Sequence, residues 1–139
     1  MSRLAFFDSD VLVYSDDTSS GAKQQRAIDL IALHLREGTA VLSLQVLQEY
    51  FIVSTRKLKV PPEIAQQKVQ ILARAKMVYF NANDIIASIE LHRLRRISFW
   101  DSLIIHAARL AGAGILFTED LQTGGILEGM RVVNPFIAD

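Results

Sequence analysis

Five short strand-like runs, Leu4–Phe7, Ala40–Ser43, Met77–Phe80, Ile115–Phe117 and Arg131–Val133, punctuate this chain, and longer segments with helical spacing separate them. That alternation constrains the fold more than any other feature. An unbroken apolar run such as LAFF suits a strand buried on both faces. Strands separated by helices run parallel, connected by right-handed crossovers that lay the helices on both faces of the sheet. The expected architecture is therefore α/β: a central parallel sheet of about five short strands covered by helices on both faces. No repeat, low-complexity tract or linker interrupts it, so residues 1–139 are expected to form one domain.

Local signals refine the helices. Gln24–Glu37 carries Ala27, Ile28, Ile31 and Leu35 at helical spacing, and Gly38 suits its end. The polar stretch Ser15–Lys23 before it reads as a loop. Gln45–Arg56 is apolar over most of its circumference and is expected to be mostly buried. Pro62 suits the first position of a helix continuing over Glu63–Ala75. Asn83 or Asp84 is expected to cap a helix reaching Arg96. A further helix spans Asp101–Ala111, and Thr118–Gly125 is a loop or short helix. Trp100 could stack a base, but a core role is the expectation.

Composition excludes several classes. Half of the residues are hydrophobic and 22% are charged, so the chain is globular rather than disordered. A formal net charge of zero argues against a strongly basic coat for nucleic acid, although a local patch can persist within a zero sum. The absence of cysteine excludes disulfides and thiolate metal sites and favours a reducing compartment. The opening MSRLAFFDSD is too short an apolar run for a signal peptide, and nothing reaches the roughly 18 apolar residues of a membrane span. The expected location is cytoplasmic, with no membrane association.

Acids stand at four places where they are hard to explain. Asp8, and Asp10 two residues on, interrupt the apolar FFDSDVLVY; a cap or turn role is the plainer account of Asp8. Glu49 is the single acid between Gly38 and Pro62, on the apolar helix SLQVLQEYFIV, where an edge residue reaching solvent is the plainer account. Asp101 opens a helix whose Ile104, Ile105 and Ala108 follow at i+3, i+4 and i+7, so it is expected to point along the core stripe unless it serves only as a first-turn acid favoured by the helix dipole. Asp120 follows the fourth strand beside Glu119, one of which is expected to be solvated. In open parallel sheets, ligands bind outside the carboxyl ends of the strands, and Asp8 and Asp120 both lie there. Asp101 and Glu49 sit on neighbouring helices, within reach of the same crevice.

Carboxylates gathered in one pocket repel one another. At about 5 Å and an effective dielectric near 20, each pair costs roughly 3 kcal/mol, so a cation must offset them. An all-oxygen cluster suits a hard divalent ion, Mg²⁺ or Mn²⁺. Zinc is disfavoured, because His34, His92 and His106 show no pair at ligand spacing and are expected to be structural. Arg93, Arg95 and Arg96 precede Phe99-Trp100-Asp101, and Arg56, Lys57 and Lys59 follow the Glu49 helix. Such runs are usually solvated faces, but here they flank proposed acids.

Taken together, FFDSDVLVY with Asp8, SLQVLQEYF with Glu49, SFWDSLIIHAA with Asp101, LFTEDLQTGG with Thr118 and Asp120, and the closing RVVNPF resemble, in order, the PIN-domain nucleases, especially the VapC-type toxins of prokaryotic toxin–antitoxin pairs. The resemblance covers nearly the whole chain. It implies an endoribonuclease that hydrolyses RNA phosphodiester bonds with Mg²⁺ or Mn²⁺, leaving 5′-phosphate and 3′-hydroxyl ends. It also implies a small antitoxin partner and a homodimer. Asp8, Glu49, Asp101 and Asp120 would be the catalytic metal ligands, with Asp10, Thr118 and Arg96 in supporting or substrate-binding roles. The sequence departs from the family at Asp10, where asparagine is usual; the extra acid adds charge beside the metal.

Two other readings remain. Asp8-Ser9-Asp10 also fits the D-x-D opening of haloacid-dehalogenase-like phosphatases, with Asp8 as phosphoryl acceptor and Asp10 as acid/base. However, Leu12 stands where that class wants a small hydroxyl residue. The other alternative is a catalytically inactive PIN-like binding subunit.

Overall fold

Ala5, Phe6 and Phe7 are buried to within 1% of completely, and the sheet is assembled outward from them. The computed structural model describes residues 3–121 and 125–137. Its strands are β1 (Ala5–Phe7), β2 (Ala40–Ser43), β3 (Lys76–Val78), β4 (Ile115–Phe117), β5 (Ile126–Leu127) and β6 (Met130–Val133). They lie in the order β3-β2-β1-β4-β6-β5. All neighbours pair in parallel except β5 and β6.

The sheet therefore has six strands rather than five, and one edge is antiparallel. The unexpected strand is a two-residue hairpin arm, too short for any periodicity to reveal. It turns back at Glu128 and Gly129, both at positive φ (51° and 83°), the backbone shape that a tight two-residue hairpin requires. Strand β3 is also displaced toward its start relative to Met77–Phe80: Tyr79 is well exposed, because β3 is the opposite edge and lacks a neighbour to bury it.

The helices are α1 (Ser9–Tyr14), α2 (Ala22–Glu37), α3 (Leu44–Arg56), α4 (Pro62–Leu72), α5 (Ala82–Arg95) and α6 (Phe99–Leu110), with a 3₁₀ turn at Thr18–Ser20. Their ends follow cap chemistry. Gly38 closes α2 at φ 72°, and Pro62 opens α4. The cap of α5 is Asn81 rather than Asn83 or Asp84; Asp84 is the third helical residue and answers Asn81 in a capping box. Helix α6 starts at Phe99, earlier than Asp101, because the Ser98 hydroxyl accepts from the Asp101 amide at 3.0 Å. Of the segment Thr118–Gly125, residues 122–124 lie outside the described residues.

Two burial expectations are corrected. Helix α3 buries Val46, Leu47, Tyr50 and Ser54 on one face only, and leaves Leu44 and Ile52 exposed by 47% and 45%. Trp100 does not fill the core: it is 64% exposed, although Leu103, Ile104 and Ala107, at i+3, i+4 and i+7 on the same stripe, are buried, because it lies in the first turn of α6, at the end of that stripe. No helix among the described residues is long and apolar enough to cross a membrane.

The strand order positions the site. From β1 the chain adds β2 and β3 on one side, then crosses to place β4 on the other side of β1. The carboxyl ends of β1 and β4 therefore adjoin at the switch point, where helices leave in opposite directions and a crevice opens. Phe7 pairs with Phe117 in this ladder, so the next residues, Asp8 and Thr118, emerge side by side.

Candidate active site

Asp8 caps α1 and is part of the site as well. Its backbone is extended (φ −70°, ψ 157°), its amide donates to the Phe117 carbonyl at 2.9 Å, and one carboxylate oxygen accepts from the Ser9 amide at 2.7 Å. The other oxygen accepts from the Thr118 hydroxyl at 2.8 Å. A hydroxyl has one proton, so this shorter bond takes precedence over the 3.4 Å contact from Thr118 to Asp10. The Thr118 oxygen in turn accepts from the Asp120 amide at 3.2 Å. Thr118 is fully buried and fastens the loop after β4 to the carboxylate after β1.

Asp10 lies in the first turn of α1. Its Oδ2 accepts from the Glu119 amide at 2.9 Å, whereas its Oδ1 is buried and has no hydrogen-bond partner among the described residues. A buried carboxylate oxygen without a donor is costly, and such an atom calls for a ligand. Carboxylate oxygens of Asp8, Asp10 and Asp120 all lie within 4.8 Å of one another. Burial, opposed by the Thr118 and Ser9 bonds, pushes the Asp8 carboxyl up to about 6, with the charges of Glu49 and Asp120 adding to the rise. Burial and then the charge of Asp8 push Asp10 up to about 7. Desolvation and like charge both disfavour the ionised forms, and a divalent cation seated among these oxygens relieves both. The donor set, all oxygen with one donor orphaned, fits a hard divalent cation.

The neighbouring cations are engaged elsewhere. Lys23 pairs with Glu119 at 2.6 Å, and Tyr14 donates to the same carboxylate at 2.6 Å. Although burial opposes it, Lys23 and Tyr14 hold Glu119 below the usual carboxylate value. Of the adjacent acids Glu119 and Asp120, it is thus Glu119 that turns to a lysine and Asp120 that joins the cluster. Lys68 pairs with Asp16 at 3.0 Å, and the Tyr50 hydroxyl bonds the same acid.

Of the four expected ligands, Asp8 and Asp120 are in the 4.8 Å group together with Asp10, for which only a supporting role is expected from the sequence. Glu49 and Asp101 are not members of that group. Glu49 is half-buried on α3 and acts electrostatically on Asp8. Gln45, one turn earlier, donates to Glu49 Oε2 at 3.2 Å and to the Trp100 carbonyl at 3.4 Å, which ties α3 to the first turn of α6. Asp101 is the next residue; it is half-buried, and its carboxylate makes no hydrogen bond or ion pair among the described residues. Arg96 is exposed at the end of α5, at φ 56°, and its guanidinium has no partner among the described residues. The histidines are held by the scaffold: His34 by Thr39, His92 by the Ile97 carbonyl, His106 by Asp84.

Sequence reasoning missed Gln45, Lys23 and Tyr14. Gln45 stood at i−4 from Glu49, a spacing that brings side chains together on a helix. The Lys23–Glu119 pair spans 96 residues, and no local signal announces it.

The sequence matches the PIN domain family over residues 5–123, and the chain belongs to that family. No curated protein matches it. Among solved structures, the chain is similar to the sarcin–ricin-loop-cleaving toxin VapC20 of Mycobacterium tuberculosis, at 18% identity and a TM-score of 0.67 over 84% of this chain and 89% of that one. It is similar to a toxin–antitoxin complex from Klebsiella pneumoniae at 21% identity and a TM-score of 0.67, covering 95% and 98% of the two chains. It also resembles VapBC2 of Rickettsia felis, solved with a promoter DNA fragment, at 24% identity and a TM-score of 0.61 over 84% and 88%.

Proposed function

We propose that this protein is a Mg²⁺- or Mn²⁺-dependent endoribonuclease and the toxin of a VapBC-type pair. The observation that carries the reading is the Asp8, Asp10 and Asp120 cluster at the β1/β4 switch point, with a buried oxygen that no protein donor satisfies. Membership of the PIN family supports it, as do neighbours described as VapC or toxin–antitoxin proteins. The haloacid-dehalogenase-like phosphatase is not favoured. An inactive binding subunit would have no use for an acid cluster kept at an electrostatic cost.

In this reading, Asp8 and Asp120 would hold the ion, the Asp10 charge beside them would tighten it, and Glu49 and Asp101, outside the 4.8 Å group, would reach it from α3 and α6. A bound divalent ion lowers the pKa of its water and stabilises charge on the attacked phosphate. The chain's own contributions follow from its hydrogen bonds. Thr118 orients Asp8 and, through the Asp120 amide, the loop that carries Asp120. Gln45 occupies Glu49 Oε2, which leaves Oε1 to accept a proton from the attacking water. Arg96, exposed and unpaired, receives a substrate phosphate. Hydrolysis leaves 5′-phosphate and 3′-hydroxyl ends and does not need the 2′-hydroxyl, so a preference for RNA must arise from contacts away from the reacting atoms.

We further propose a small antitoxin partner, a homodimer and a cytoplasmic location. A groove of about 640 Å³ between α3 and α4, lined by Leu44, Leu47, Phe51, Ile52, Pro62 and Val69, supports a protein partner. An RNA backbone would find no counter-charge on that lining.

The test is incubation of labelled tRNA, rRNA fragments and mRNA with the protein in Mn²⁺ and in EDTA, followed by mapping of the ends. Discrete cuts with 5′-phosphates in Mn²⁺, lost in EDTA and in Asp8→Asn, are expected. Cleavage that persists in EDTA or in Asp8→Asn overturns the reading, as does the absence of cleavage of any of these RNAs in Mn²⁺.

A further inference from the structure

The one tryptophan of the chain is exposed by 64%, one residue before Asp101. Single exposed apolar residues are ordinary, so exposure alone carries nothing. Three further observations separate Trp100 from the other exposed apolar side chains. Its carbonyl accepts from Gln45, the residue that also holds Glu49, so the indole's backbone is fixed to the rim of the acid site. Phe99 meets the ring edge-on, with centroids 5.3 Å apart and planes at 62°, an arrangement that braces the indole without stacking on it. No other ring and no cation contacts it among the described residues. Upstream, Arg93 and Arg96 are both exposed and free of hydrogen bonds or ion pairs among the described residues.

We propose that Trp100 is a stacking platform for an unpaired nucleobase adjoining the scissile phosphate. This rests on the ribonuclease reading and deepens it: the substrate is a single strand or a loop whose base is splayed out, since the bases of a duplex are already stacked on one another. A braced aromatic ring loses little freedom on binding, and every base presents a π-face to it, so the platform supplies affinity with little sequence preference. Arg96 and Arg93 offer charge to the phosphates on either side of the stacked nucleotide. The arrangement also supplies the contact away from the reacting atoms that selection of single strands needs.

Because Trp100 is the single tryptophan, its fluorescence reports on this site alone. A non-self-complementary 12-nucleotide RNA, and separately its blunt duplex, are titrated into the full chain in low-salt EDTA buffer. The expected result is iodide-accessible emission in the free protein, quenched saturably by the single strand and not by the duplex. In Mn²⁺, Trp100→Ala is expected to raise KM for the single strand about tenfold or more, in line with the loss of one base stack, with kcat changed less than about threefold. Trp100→Phe should recover most of that loss, and melting curves on both variants separate binding from folding. Blue-shifted, iodide-shielded emission overturns the proposal, because the indole is then covered by a second copy or another part of the chain. Equal quenching by the duplex, or an unchanged KM in Trp100→Ala, also overturns it. Quenching by the single strand from a protein that cuts no RNA in Mn²⁺ would defeat the ribonuclease reading and leave the stacking platform standing.

Discussion

Two groups of acids in this small molecule behave oppositely. Around His106, every acid is matched. Asp84 accepts from His106 Nε2 at 2.9 Å, Arg109 reaches His106 Nδ1 at 3.0 Å, and Glu128 is held by Arg109 and Arg95, both at 3.1 Å. This network joins α5, α6 and the β5–β6 turn. Past the carboxyl ends of β1 and β4, by contrast, Asp8, Asp10 and Asp120 crowd together with no basic side chain paired to them, and Asp10 Oδ1 has no donor, among the described residues. A net charge of zero conceals both arrangements. The first is a closed set of complementary charges that secures helices to the sheet; the second is an open set of like charges, the arrangement from which the metal-site reading is proposed. Charge counting cannot tell them apart, but pairing can.

The contrast breaks most sharply at Asp8. Asp8→Asn should reduce Mn²⁺-dependent RNA cleavage by more than about a hundredfold, beyond the usual cost of changing an outer-shell partner. The same change should leave the melting temperature in EDTA unchanged or higher, because it removes one of the repelling charges. A clear loss of stability in EDTA would mean that Asp8 serves mainly as the α1 cap.

A second test uses pH. Asp8 and Asp10 keep protons in the folded chain up to about 6 and about 7, whereas the unfolded chain releases them near 4. The native state then binds more protons than the unfolded one between those limits, so metal-free stability should fall as pH rises from about 4 to about 7, by an amount on the order of a few kcal/mol. Urea titrations across this range, in EDTA and in Mn²⁺, check it; Mn²⁺ should flatten or reverse the slope. A metal-free stability that rises through the window would show these acids to be satisfied already.

The matched group should respond the other way. His106→Ala leaves Asp84 and Arg109 without their partner and opens a cavity in the core of α6, at a cost of about 2 to 3 kcal/mol in unfolding experiments. Calorimetry should find Mn²⁺ affinity little changed. A large loss of affinity would show that the two groups are coupled through α6.

The smallest expected effect is at Asp10. Asp10→Asn keeps the shape and the bond from the Glu119 amide but removes one charge. Mn²⁺ affinity should fall about three- to thirtyfold, the Coulomb contribution of one charge at close range reduced by screening. Equal affinities at one salt concentration would leave Asp10 a hydrogen-bonding support, as asparagine would be.

The frame of the molecule was legible because its signals are local. Buried strands read as apolar runs, and Gly38 and Pro62 mark helix ends through backbone sterics that act within a few residues. The acids stood out for the same reason, as charges in apolar surroundings. What was misread shares a cause too. Strand β5 offers two residues and no period, and Trp100 shares the stripe of the buried Leu103 and Ile104 but lies in the first turn of α6, so periodicity alone reads it as core.

The order of apolar runs and helices in the sequence by itself determined a parallel α/β sheet, and its misplaced acids pointed to the strand ends as the site. Only the tertiary structure decided that β4 lies beside β1, so that Asp8 and Thr118 emerge as neighbours. Tertiary structure alone also decided that Lys23 draws Glu119 aside while Asp120 joins Asp8 and Asp10. Pairings across about 100 residues depend on which strands adjoin and on which charges lose their water, and neither is encoded in any window of neighbouring residues.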